Sequence, residues 1–347
     1  MRLWLSLSII VYHSMLASYG PAYDGDVVEG PARPLVLVLL PAFFALSGFL
    51  IAGSMLRVRS LKIFLAHRIL RIIPALFCEV LISALVLGPL LTTLPLSDYF
   101  RDPLFAKYFL NIIGEIQYVL PGLFPDNPLP SIVNIQLWTI PVELKCYLLF
   151  SVLMLAGVSL NKHLMLLLFI AGMLVLGALQ WTGHHVQDPR DVVSDHVLIL
   201  NFIGGITAYL WRDTLRLSLP ALAVSVVAAS LVFWSNRFIA LSPILTIYLM
   251  VFVGMTRVPM PRLLAKGDYS YGVYLYGFPI QQTIAYLFPE HRTPLFNLML
   301  AIPLTLTMAV LSWHLLEKHV LDLKRHIKAP VRREPVPQPA YTAVNEA

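Results

Sequence analysis

The sequence predicts an all-α protein, a polytopic transmembrane helical bundle of about ten spans with both termini cytoplasmic. Three observations predict it. Hydrophobic residues make up 58% of the 347 and charged residues only 13%, with a mean hydropathy of +0.75, far from the soluble average. Cutting the chain at charged and Pro-rich breaks leaves ten apolar runs, each about long enough to cross ~30 Å of hydrocarbon. Lys and Arg are also unevenly shared: 18 of the 25 fall on the side that carries Arg2 and the C-terminus, six on the other, and Lys145 lies inside a run. The positive-inside rule makes the richer side cytoplasmic.

The runs cover 3–19, 35–56, 72–94, 137–158, 164–181, 196–211, 218–235, 238–255, 269–288 and 294–317. The first has the basic start and apolar core of a signal peptide. It is read as a retained span, because His13 interrupts the core and no small-x-small cleavage pattern follows at Ala17 to Tyr19. The third is entered through the basic stretch RVRSLKIFLAHRILRIIP. Segment 95–136 has an apolar middle studded with charges and closed by Pro121, Pro125, Pro128 and Pro130. It reads as an interfacial or half-buried lid and not as an eleventh span. Residues 1–325 then form one integral membrane domain, and 326–347, rich in Pro, Arg and small polar residues, are expected to be a disordered cytoplasmic tail. The net charge of +6 and pI near 9.3 follow from the cytoplasmic loops, so a nucleic-acid partner is not implied. Cys78 and Cys146 lie in apolar runs with no partner at ligand spacing, which argues against a disulfide or a zinc site.

Inside a membrane, ionisable side chains point to function, because hydrocarbon disfavours a polar group without a partner by several kcal/mol. Arg2 and His13 are eleven positions apart. That separation closes to within about 20° of three whole turns, so both face one side of a helix about 16 Å apart along its axis. Counted from the nearest cytoplasmic residue, His13, Ser47, Asn201 and Gln281 all lie roughly 15 to 20 Å deep and can line one midplane cavity. For Ser47, Asn201 and Gln281 interhelical hydrogen bonding is the ordinary alternative. His13 differs, since a neutral imidazole can take a hydroxyl proton near neutral pH. Arg68 and Arg71 stand at i and i+3 on one helix face, beside Arg57, Arg59, Lys62 and His67. Clustered guanidinium groups match phosphate oxygens, although a topogenic loop touching lipid head groups is the competing reading. Glu143 and Lys145, at i and i+2, do not face each other on a helix, so each needs another partner. Tyr269, Tyr271, Tyr274 and Tyr276 fit an interfacial aromatic belt. The stretch HHVQDPRDVVSDH at 184–196 lacks the regular spacing of a metal site and reads as a solvated or sugar-bonding loop.

In order along the chain come Arg2 with His13, FFALSGFLI at 43–51, RILRIIP at 68–74, LWTIPVELKCYL at 137–148 and GDYSYGVYLYGFPI at 267–280. Together these resemble the ordered signatures of the acyltransferase-3 family of polytopic membrane acyltransferases. The resemblance implies transfer of an acyl group, commonly acetyl from acetyl-CoA, to a hydroxyl of a sugar, an envelope glycan or a small molecule. It implies acyl-CoA as donor substrate without a permanently bound cofactor or metal, a carbohydrate or glycan acceptor, and residence in the inner membrane. It favours Arg68 and Arg71 for the donor and Tyr271 and Tyr274 for structure or donor contact; Arg2 and Ser47 are expected beside the donor as well, and Glu143 as a catalytic residue lining the acceptor side. His13 is expected as general base, an acyl-histidine relay being the alternative. The sequence departs from the pattern at Leu144 and Lys145, which follow a single Glu, and at Gly277, where many relatives carry His; this argues against a second catalytic histidine there. A transporter or flippase of lipid-linked glycans is the rival class, but the inverted repeat such proteins usually carry is not found.

Overall fold

A computed structural model describes residues 1–21, 29–58, 60–159, 161–182, 193–235, 238–255 and 267–325. The architecture is all-helical. Its longer helices are α1 (Arg2–Tyr19), α2 (Leu39–Val58), α3 (Leu61–Ile82), α4 (Thr139–Leu155), α5 (Lys162–Trp181), α6 (Asp195–Leu210), α7 (Leu219–Ser235), α8 (Ser242–Met255), α9 (Ser270–Leu287) and α10 (Pro294–Ser312). Among the described residues five helical stretches are long and apolar enough to cross a membrane: 33–56, 61–91, 135–155, 162–181 and 294–322. The helices at 195–210, 219–235 and 239–254 are apolar but shorter. Each expected run coincides with one of these helices. The largest shift is at α3, which begins at Leu61 and so takes in the basic stretch that precedes its apolar run.

Small residues set the central contact. Gly48 of α2 lies so close to α6 that a Cβ there would come within 2.0 Å of the Phe202 carbonyl, and a Cβ on Gly205 would come equally close to that of Ala45. Two backbones can approach this far only where side chains are absent, which is the usual basis of tight helix pairing in membranes. The same crossing fixes Ser47 and Phe202 side by side.

Two long helices are interrupted by π turns. One, Ser83–Leu87, carries α3 into the short helix Gly88–Leu91. There the Tyr99 hydroxyl donates to the Ala84 carbonyl at 2.7 Å and occupies the space a Cβ on Gly88 would need. The other, Trp313–Glu317, prolongs α10 into Lys318–Asp322 and a 3₁₀ turn Leu323–Arg325. A π turn adds a residue to the local repeat and so turns the following side chains to a new face.

Segment 95–136 is built from short helices, Leu96–Arg101 and Pro103–Tyr108, a 3₁₀ turn Phe109–Ile113 and irregular chain, none of them long enough to cross a membrane. It is more deeply packed than a half-buried lid: Tyr99, Tyr108, Leu120 and Phe124 have no exposed surface. Its end docks on a defect in α9. Pro279 has no N–H, so the Leu275 carbonyl loses its helical donor. Asn134 Nδ2 and Gln136 Nε2 supply the missing bonds at 3.1 and 3.2 Å, and Gln136 also reaches the Tyr274 carbonyl at 2.7 Å. Asn127 and Gln282 add a second fastening, with Gln282 donating to the carbonyls of Leu129 and Ile132.

Candidate active site

A narrow cleft, about 490 Å³ with the open solvent at its mouth included, lies between α1, α2, α4, α6 and α9, lined by Arg2, Phe43, Ser47, Glu143, Tyr271 and Tyr274 among others. Five of the residues singled out in the sequence therefore meet in one place. The apolar part of the wall is Leu40, Phe43, Phe44 and Phe202, and Thr139 adds a hydroxyl.

The tyrosines are fixed by α9 packing inward. The Tyr274 hydroxyl donates to the Gln136 carbonyl at 2.8 Å, with the Thr139 hydroxyl 2.5 Å away. The Tyr271 hydroxyl donates to the Ile72 carbonyl at 3.2 Å. All four tyrosines at 269, 271, 274 and 276 are buried, so they do not form an exposed belt. Glu143 accepts from the Tyr147 hydroxyl one turn along α4, while Lys145 pairs with Asp195 of α6 at 2.6 Å. The two neighbours thus find separate partners, as their spacing requires.

At the edge of the cleft the cations sort into two kinds. Arg71 is buried and paired: Nη2 lies 2.8 Å from Asp268 and Nη1 3.4 Å from Glu317, with the guanidinium over the Tyr271 ring. Arg2 shares Asp268 at 3.8 Å and stacks on Phe43. Burial pushes the Asp268 carboxyl up, but Arg71, Arg2 and the hydrogen bonds from Ser270 more than offset it and leave it below its usual value. Arg68, by contrast, faces the rings of Phe64 and Tyr147, and its Nε has no hydrogen-bond partner among the described residues.

His13 stands outside the lining of the cleft. Its ring meets Phe278 edge-on, centroids 5.2 Å apart, four residues along α9 from Tyr274. Of the other midplane groups, Gln281 donates to the Ile10 carbonyl at 2.8 Å and Asn201 to that of Val197 at 2.8 Å, which is the structural role. Arg59 and most of the 184–196 loop lie outside the described residues, as does the 326–347 tail.

Sequence reasoning missed Asp268, Glu317, Thr139 and Tyr147. Asp268 was visible as the acidic residue opening GDYSYGVY, and Glu317 as the carboxylate closing the last apolar run. Neither position announces its partner.

A family model described as an acyltransferase domain matches residues 1–316. The chain belongs to that acyltransferase family. Among its relatives, the O-acetyl transferase of Shigella phage Sf6 is 28% identical over 335 residues, covering 92% of this chain and 94% of the relative. Nodulation protein 10 of Rhizobium leguminosarum bv. viciae is 26% identical over 314 residues, covering 83% of each. No solved structure matches. The acyltransferase is thus a membrane enzyme that acts on an acyl donor and an acceptor.

Proposed function

We propose that the acyltransferase moves an acetyl group from acetyl-CoA to a hydroxyl of a sugar or envelope glycan, working as a protein of about ten spans in the inner membrane with both termini cytoplasmic. The supporting observation is the cleft in which Arg2, Ser47, Glu143, Tyr271 and Tyr274 converge beside Arg71. Its basic edge suits the phosphates of a cytosolic donor, and its apolar wall of Phe43, Phe44 and Phe202 suits a short acyl group. The relative named as an O-acetyl transferase favours acetyl and an oxygen acceptor.

In this reading Arg68 faces the donor phosphates, and Arg71, held by two carboxylates, anchors the site. His13 lies eleven residues from Arg2 along α1, about 16 Å. An extended pantetheine arm bridges that distance and carries the thioester from the basic mouth toward the imidazole. His13 takes the acceptor hydroxyl proton as the oxygen attacks the thioester carbonyl. The C–S bond breaks, and the imidazolium returns its proton to the leaving thiolate, leaving an ester and free CoA thiol. Glu143, hydrogen-bonded to Tyr147, orients the acceptor.

The test is purified enzyme in lipid nanodiscs with labelled acetyl-CoA, paired with mass spectrometry of envelope glycans from cells with and without the protein. Label that enters a glycan ester only when the protein is present supports the reading. Unchanged glycans together with no acetyl-CoA consumption would reject it.

A further inference from the structure

Two side-chain nitrogens at the cytoplasmic start of α3, His67 Nε2 and Arg68 Nε, are withdrawn from solvent without a hydrogen-bond partner among the described residues. A buried polar atom left unpaired is costly, so the arrangement has the form of a site completed by a bound polar group. The carboxylates of Asp268 and Glu317 are engaged by Arg71. Arg68 has the aromatic faces of Phe64 and Tyr147 beside it, at 5.7 and 5.9 Å.

A third cation is brought to the same place by the extension of α10. Glu317 bonds Arg71, and Lys324 follows seven residues later in the 3₁₀ turn Leu323–Arg325, roughly 10 Å further along the extension. The extension packs along α3 and runs the opposite way. A matching step back from Arg71 along α3 passes Arg68 and His67 and ends at Phe64. Lys324 is half-buried there, and burial together with Arg68 and Arg71 brings its ammonium down to about 8. Three basic groups that repel one another when charged are thus packed together, and two of them carry buried nitrogens without a hydrogen-bond partner. A bound anion reverses that repulsion and pairs with both nitrogens.

We infer that His67, Arg68 and Lys324 form a phosphate-binding subsite at the cytoplasmic mouth, apart from the cleft itself. It rests on the acyl-CoA reading for one source of the phosphate, the nucleotide end of the donor. An anionic phospholipid head group offers the same chemistry.

The experiment uses the full chain in phosphatidylcholine nanodiscs and adenosine 3′,5′-bisphosphate as probe, with calorimetric binding to wild type, His67→Ala, Lys324→Ala and Lys324→Arg. The expected result is a roughly tenfold weaker affinity for Lys324→Ala, recovery in Lys324→Arg and weakening in His67→Ala, with thermal stability of the empty protein unchanged. The second arm replaces part of the lipid by phosphatidylglycerol and reads its thermal stabilisation. Stabilisation that depends on Lys324, without nucleotide binding, supports the subsite and assigns it to the head group. Equal behaviour of all four proteins toward both probes overturns it. Neither arm needs catalysis, so nucleotide binding without acyl transfer would leave the subsite standing while rejecting the acyltransfer reading. Acyl transfer by wild type and by Lys324→Ala with the same KM, together with lipid stabilisation that does not depend on Lys324, would do the reverse.

Discussion

Arg71 Nη2 and Asp268 Oδ2 stand 2.8 Å apart across 197 residues of chain, and Arg2 reaches the same oxygen at 3.8 Å. Asp268→Asn leaves Arg71 with Glu317 alone. The expected loss is about 1–2 kcal/mol once the partial exposure of Asp268 is allowed for, read as a lowered melting temperature in detergent. Asp268 is held below its ordinary value of 3.8, so its stabilisation is fully present above that value and fades as pH falls through the lower folded one. A wild-type acid melting curve that the Asn variant simply reproduces would contradict this.

Arg68→Lys and Arg71→Lys should fail differently. A lysine at 71 cannot bridge two carboxylates, so the variant should lose folded protein as well as activity. At 68 the protein should fold normally and show a raised KM for acetyl-CoA. Size-exclusion profiles together with KM separate the two, and identical profiles for both would show that the pairing at Arg71 is incidental.

His13→Gln should reduce transfer by about 10²- to 10⁴-fold while the protein remains inserted and folded. Glutamine keeps a hydrogen-bonding side chain but cannot take up a proton near neutral pH. Near wild-type turnover in the Gln variant at normal expression would remove His13 from the mechanism.

Tags placed in the 57–60 stretch and at the C-terminus should both react with a cytosolic labelling reagent, since both lie on the side rich in Lys and Arg. Exposure of either tag on the outer face would invert the topology and move the basic mouth away from cytosolic donors.

Gln136→Leu should cost about 1–3 kcal/mol by leaving the Tyr274 and Leu275 carbonyls short of donors. Combining it with Pro279→Ala, which restores the helical N–H to Leu275, should recover part of that loss. Strictly additive effects in the double variant would mean that the docking of Gln136 on α9 does not depend on the proline defect.

The helices were legible because apolar length alone marks a span, and hydrocarbon tolerates few other arrangements. Arg2, Ser47, Glu143, Tyr271 and Tyr274 were legible through the order of their motifs; helical periodicity does not bring together residues from four different helices. The partners of Arg71 were not legible. Glu317 faces α3 after a π turn, where the 100° step used to assign faces no longer holds. The depth to which segment 95–136 packs was not legible, because Tyr99, Tyr108, Leu120 and Phe124 follow no period. Its anchorage at Pro279 joins residues 141 positions apart.

The ion pairs at Arg71 close a circuit between early and late chain. Arg2 and Arg71 leave the ribosome long before Asp268 and Glu317, so during synthesis two membrane-bound guanidinium groups wait for carboxylates that do not yet exist. Contacts of such long sequence separation form late. The basic mouth is therefore assembled only when the α10 extension arrives, and a nascent chain stalled before that point has inserted helices but no finished enzyme.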